Sequence, residues 1–171
     1  MKIRPKNKRE LLKAALGEIQ SDLLIKNVKL VNTITGEIYP ANVFIFDGMI
    51  AHVEYKDLEA DLDGAKEVID GQGRYLIPGF IDAHEHIESS MMTPRNFART
   101  VIPHGTTTVI TDPHEIGNVW GVEGVRYMYD SSEELPMRQL IDIPSCVPAV
   151  PGLENAGAEF GVEEIDRKSV V

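Results

Sequence analysis

Tyr75-Leu-Ile-Pro-Gly-Phe-Ile-Asp-Ala-His-Glu-His-Ile-Glu-Ser-Ser90 is the stretch whose reading decides the fold. An apolar run passes through Asp82 into two histidines, His84 and His86, spaced i and i+2. On an extended strand alternate side chains share a face, so both imidazoles can reach one ion while Glu85 points away. A strand that ends in His-x-His and then turns polar has the form of half a metal site.

The rest of the composition narrows what surrounds that strand. A chain of 171 residues with 43% hydrophobic and 26% charged residues has enough apolar material for a core, as one domain or as a small domain with part of a second. The net charge of −10 excludes a general nucleic-acid binder, which would carry a basic face. Six of the 17 Lys and Arg residues fall within residues 1–13, a basic run that reads as a solvated helical face. No apolar stretch reaches the roughly 18 residues of a membrane span, and nothing resembles a signal peptide. Cys146 is the only cysteine, so neither an intramolecular disulfide nor a cysteine cluster is expected, and a cytoplasmic setting fits.

Working outward, residues 7–19 read as an amphipathic helix, with Leu11, Leu12, Ala15, Leu16 and Ile19 on one stripe, inside an N-terminal helical segment 1–21. Residues 22–73 switch to short strands and close turns, a small β domain that is part of a sandwich. Its clearest signal is Asp47-Gly48 between β-formers at 43–53, the chemistry of a tight hairpin turn. Residues 74–171 alternate strand and helix. Strands are expected at 75–82, interrupted by Pro78-Gly79, at 106–111 and at 140–143, with helices from Thr93-Pro94 to about Ile102 and from about Val119 to Ser131. Such β–α units imply an α/β fold with parallel strands, three of them, too few to close a barrel.

In parallel α/β folds functional residues gather at the carboxyl ends of strands. Here Asp82, His84, His86 and Glu88 follow the first strand, Asp112, His114 and Glu115 the second, and Ser145, Cys146, Glu154 and Asn155 the third. His52, inside the hairpin, and His104, at a helix end where it complements the dipole, have structural explanations. His86-Ile87-Glu88 matches the His-x-Glu of cytidine-deaminase zinc sites, but those also need two cysteines, which this chain lacks. Imidazole and carboxylate donors suit Mn²⁺, Fe²⁺ or Zn²⁺. Such an ion yields hydroxide near neutral pH, and a nearby carboxylate can relay the proton, so the expected chemistry is hydrolytic.

Pro78-Gly-Phe-Ile-Asp-Ala-His-x-His86 resembles the first barrel strand of the amidohydrolase superfamily. The runs 86–91, 103–109, 112–116, 144–149 and 151–154 narrow the resemblance to the adenine deaminases within it. The resemblance implies an incomplete TIM-like (β/α) barrel, its first three βα units, preceded by part of a flanking β domain. It implies hydrolysis of adenine to hypoxanthine and ammonia at a two-metal centre, with Mn or Fe expected and Zn also acceptable. His84 and His86 would be metal ligands, and Glu154 both a bridging ligand and the catalytic proton carrier. Glu88, Asp112, His114 and Glu115 would contact substrate or support the ligands. Relatives of this kind are homo-oligomers acting on a small molecule, with no nucleic-acid or membrane partner.

Such enzymes draw further histidines and an aspartate from later strands, and this sequence stops at Val171, so the expectation is a truncated N-terminal portion with exposed strand edges. Residues 167–171 lack the character of a continuing helix. Two alternatives stand beside the deaminase: a non-catalytic remnant lacking the later ligands, and a related hydrolase of cyclic amides.

Overall fold

The computed structural model describes residues 6–55 and 64–166. The expectations for residues 167–171, and for the basic residues Lys2 and Arg4, lie outside the described residues. The chain divides into two compact units between Pro78 and Gly79.

In the first unit, Asn7 caps helix α1 (Lys8–Ala15) by accepting the backbone N–H groups of Arg9 and Glu10. The expected apolar stripe is only partly covered, with Leu11, Ala15 and Ile19 half-buried. Ala14 is the buried residue of α1, while Leu12 and Leu16 are 64% and 73% exposed. Strands β1 (Ser21–Asn32), β2 (Glu37–Phe46), β3 (Met49–Glu54), β4 (Ala65–Asp70) and β5 (Tyr75–Leu76) form one five-stranded sheet ordered β3-β2-β1-β4, with β5 also on β1. β2 is antiparallel to β1 and β3, whereas β4 and β5 run parallel to β1. Leu24, Val28, Ala41, Val43 and Ala65 are its buried apolar residues. The β2–β3 turn has the expected chemistry, with Asp47 and Gly48 both left-handed at φ 51° and 71°.

Asp22 holds that turn to its neighbours. One carboxylate oxygen accepts the Asp47 N–H at 2.8 Å and the other the Lys66 ammonium at 2.7 Å. The Lys66 hydrogen bond and then the Asp47 N–H hold the Asp22 carboxyl below its ordinary value. A depressed folded pKa gives stability that is present above the unfolded value of about 3.9 and lost as pH falls through the folded one. Asp22→Asn therefore lowers the thermal midpoint at pH 7, and the difference from the parent chain closes by about pH 2. Melting curves at the two pH values check this.

The second unit holds a three-stranded sheet ordered β6-β7-β8, formed by β6 (Phe80–Glu85), β7 (Thr106–Thr111) and β8 (Arg138–Ile141), all parallel. The strand expected over 75–82 is interrupted at Pro78-Gly79 as the sequence indicates, and its two parts, β5 and β6, lie in different sheets. A side chain cannot be added at Gly79 without striking Thr107 of the neighbouring strand.

Helix α2 (Pro94–Val101) has the expected Thr93 cap position and first-turn proline, although the Thr93 hydroxyl makes no capping bond. The helix expected over 119–131 is two helices, α3 (His114–Trp120) and α4 (Val122–Ser132), broken at Gly121 (φ 65°, ψ −149°). A Cβ at Gly124 would lie 2.6 Å from the Ile116 carbonyl oxygen of α3, so only glycine lets α4 pack this closely there. Strand β8 begins two residues before the expected position. A short α5 (Val162–Asp166) follows the irregular segment after β8.

The core of this unit joins Ile87, Phe97, Ala98, Val109, Met128, Leu135 and Met137. On β6, Phe80 and Ile81 are 53% and 66% exposed.

Candidate metal centre

The site is built where β6 and β7 end. The register of β6 against β7 shifts between Asp82 and Glu85, a bulge at Ala83-His84 of the kind that re-aims side chains. Beyond it the two imidazoles meet, with His84 Nε2 and His86 Nε2 3.0 Å apart. Two nitrogens each about 2.1 Å from one ion, at a right angle, sit about 3.0 Å apart, so the pair already has ligand spacing.

His86 Nδ1 lies 2.9 Å from the Asp112 carbonyl oxygen. A carbonyl can only accept, so Nδ1 carries the proton and Nε2 presents its lone pair. Glu85 stays out of this group, its carboxylate accepting the His86 N–H at 3.1 Å.

A two-residue link, Asp112-Pro113, joins β7 to α3 and brings His114 and Glu115 into the first turn of that helix. His114 Nδ1 is 3.2 Å from Asp112 Oδ2, and the His86 and His114 rings pack edge to face at 4.6 Å. Glu115 Oε2 lies 3.6 Å from His86 Nδ1 and 3.9 Å from His114 Nε2. Three overlapping groups of donors result: His84–His86–Asp112, His86–His114–Glu115 and Asp112–His114–Cys146, each within 4.8 Å. Among these, Cys146 was legible as a residue following the third strand but not as a donor, because a single cysteine cannot make a thiolate cluster.

The short 3-10 turn Ile87–Ser90 locks α3 against the end of β6. Glu88 Oε1 accepts the Ile116 N–H at 3.3 Å, serving one of the unpaired donors at the start of α3. The Ser89 hydroxyl donates to Glu115 Oε1. Burial pushes the Glu115 carboxyl up, but the Ser89 hydroxyl, its own backbone and the His114 and His86 rings together hold it below its ordinary value. Burial holds Glu88 above its ordinary value, its Ile116 bond notwithstanding.

An acid with a raised folded pKa penalises the fold only where it is ionised. The penalty is absent below the ordinary glutamate value of about 4.3 and grows as pH rises through the folded value. Glu88→Gln keeps the oxygen that caps α3 and removes the charge. It raises the melting temperature of the metal-free chain at pH 7 and leaves it unchanged near pH 4, which paired melting curves check.

Glu88 Oε2, Asp112 Oδ1 and Glu115 Oε2 are buried without a hydrogen-bond partner. An unmatched buried polar atom costs about 1–3 kcal/mol, more when charged, and three around two or three imidazoles describe a place that a cation would stabilise. The donor set thus fits a divalent ion. The structure leaves Glu154 outside the converging groups: its carboxylate is exposed and accepts the Ala149 N–H at 3.1 Å. It is near enough for its charge to add to the burial and the Asp112 charge that raise the Cys146 thiol.

Residues 75–170 match the amidohydrolase family. The chain belongs to that family. It is 51% identical over 157 residues to the adenine deaminase of Moorella thermoacetica, covering 92% of this chain and 26% of the relative. With the adenine deaminase of Thermosipho africanus it shares 49% over 156 residues, covering 91% of this chain and again 26% of the relative. The chain thus spans about a quarter of the length of these relatives. Among solved structures, a zinc-containing N-acyl-D-glutamate deacylase from Bordetella bronchiseptica is 26% identical at a TM-score of 0.45, covering 54% of this chain and 18% of that one. Among the described residues, no helix is long and apolar enough to cross a membrane.

Proposed function

We propose that this chain is the metal-bearing portion of an adenine deaminase, converting adenine and water to hypoxanthine and ammonia. The observation that carries the reading is the convergence of His84, His86 and Asp112 at the ends of adjacent parallel strands, in a chain that matches adenine deaminases over nine-tenths of its length. In this reading the second unit supplies the first three βα units of a (β/α) barrel, and residues 22–73 belong to a β domain flanking it. The surroundings are cytoplasmic and the whole enzyme is a homo-oligomer.

His84 and His86 would hold the ion, with Asp112 and the His114–Glu115 pair beside them. Mn²⁺ or Fe²⁺ suits this donor set, and Zn²⁺ is acceptable. When bound, such an ion would supply Lewis acidity that lowers the pKa of water from about 16 toward about 7. The Asp112 carbonyl keeps His86 in the tautomer that presents Nε2. Water contributes its oxygen to C6, and a carboxylate carries its proton to the departing amine, which leaves as ammonia. Glu154 takes that role in this reading, after releasing the Ala149 N–H it now holds.

A chimera tests this: the present chain replaces the matching quarter of the Moorella thermoacetica adenine deaminase, and ammonia release from adenine is measured with Mn²⁺. Metal-dependent release is expected. A folded, metal-loaded chimera that leaves adenine intact would overturn the reading.

A further inference from the structure

The two oxygens of Glu115 have different surroundings. Oε1 accepts the Ser89 hydroxyl, whereas Oε2 is buried without a hydrogen-bond partner, 3.6 Å from His86 Nδ1 and 3.9 Å from His114 Nε2. We propose that Ser89 is a positioning residue for the hydrolysis: its hydroxyl holds Glu115 so that Oε2 stays between the His86 and His114 rings. Its effect on the reaction rests on the deaminase reading above, and its effect on the rings on the geometry alone.

The serine stands on a rigid base. Ile87 of the same 3-10 turn is fully buried, the Ser89 N–H donates to the His86 carbonyl at 3.0 Å, and the Met91 N–H donates to the Glu88 carbonyl at 2.9 Å. The Ser90 hydroxyl closes onto the Ile87 carbonyl at 2.5 Å, so Ser89 is the serine of this turn that reaches α3. Glu115 has no such base. Its side chain turns about three bonds, is 34% exposed and lies in the first turn of α3. Without an anchor it would swing to solvent or to the free N–H groups of its own helix. The serine supplies a single O–H donor, and a carboxylate accepts such a bond strongly.

The anchor secures an acceptor that faces two rings. The Asp112 carbonyl takes the His86 Nδ1 proton at 2.9 Å, so His114 Nε2 is the ring nitrogen left for Oε2. His114 Nδ1 meets Asp112 Oδ2 at 3.2 Å, which sets the ring between two carboxylates, and that of Glu115 is the one Ser89 places. Groups at a catalytic centre must be held within about 0.5 Å of their productive geometry, and a released Glu115 would not be.

Ser89→Ala deletes the hydroxyl at an exposed position and changes little else. In the metal-free 171-residue chain labelled with ¹⁵N-histidine, it should shift the ring resonances of His114 and leave those of His52 unmoved. Ser89→Thr keeps the hydroxyl and should restore the parent positions. In a Glu115→Ala background, Ser89→Ala should cause no further shift, the signature of a residue that acts through another. In the chimera, Ser89→Ala should lower kcat for adenine about 10–100-fold at unchanged metal content, and Ser89→Thr should restore it. His114 resonances that ignore Ser89→Ala, a shift of the same size in the Glu115→Ala background, or an unchanged kcat in an active chimera would each overturn the proposal. The NMR readings need neither metal nor adenine, so an inactive parent chimera counts against the deaminase reading and leaves them to decide the role of Ser89.

Discussion

Replacing His86 with alanine removes divalent-metal binding at the β6–β7 site, and adenine hydrolysis by the chimera goes with it. His86 is the one residue shared by the two imidazole-rich donor groups, so its loss leaves neither of them with three donors. Its Nε2 lies 3.0 Å from His84 Nε2, while its Nδ1 proton is engaged by the Asp112 carbonyl at 2.9 Å. Alanine thus deletes a ligand and releases one of the contacts that tie the end of β6 to the β7–α3 link, the Asp112 N–H bond to the Glu85 carbonyl remaining. Outer partners of metal ligands are typically worth about 10–100-fold in affinity, so loss of the ligand itself exceeds about 100-fold. Equilibrium dialysis with Mn²⁺ reads the effect. His52→Ala, in the other unit, serves as the control and leaves binding unchanged.

The largest effect on stability belongs to Ile87, the residue that follows His86. Its side chain is fully buried among Phe97, Ala98, Val109, Met128, Leu135 and Met137. Ile87→Ala leaves a cavity inside that cluster and lowers stability by about 2–5 kcal/mol, a large share of the roughly 5–15 kcal/mol typical of a domain. Ile87→Val costs only about 0.5–1.5 kcal/mol. The same residue opens the turn that carries Glu88 to the Ile116 N–H and Ser89 to Glu115. Metal affinity therefore falls in Ile87→Ala even under conditions where the chain remains folded. Urea unfolding and Mn²⁺ titration of the same variant separate the two losses.

The strands of the site were legible because their signals are local. The β-branched run 106–111 became β7 with the same limits, and the imidazoles of His84 and His86 do meet, although a bulge in β6 and the turn after it, not regular alternation, bring them together. The Asp47-Gly48 turn was equally plain, since few residue pairs accept two left-handed positions.

What periodicity missed was decided by contacts between distant residues. His114 and Glu115 looked like a polar strand end, yet they open α3, whose first turn is served by Glu88 from 28 residues away. β8 was placed late because Arg138 and Gln139 are polar, whereas Gln139 is buried and donates to the Met128 carbonyl. Leu12 and Leu16 form an apolar stripe that the described residues do not cover. Cys146 comes within 4.8 Å of the Asp112 and His114 donors across the fold, which spacing along the chain does not disclose.

The central claim is that β6 delivers His84 and His86 to one ion through their Nε2 atoms, and nitrogen NMR of the chain labelled with ¹⁵N-histidine tests it most directly. In the metal-free chain His86 should show the Nδ1–H tautomer that the Asp112 carbonyl selects. On addition of Zn²⁺ the Nε2 resonances of both His84 and His86 should shift together, with His52 and His104 unmoved. Nε2 signals of His84 and His86 that stay in place through the titration, or coordination of His86 through Nδ1, would contradict it.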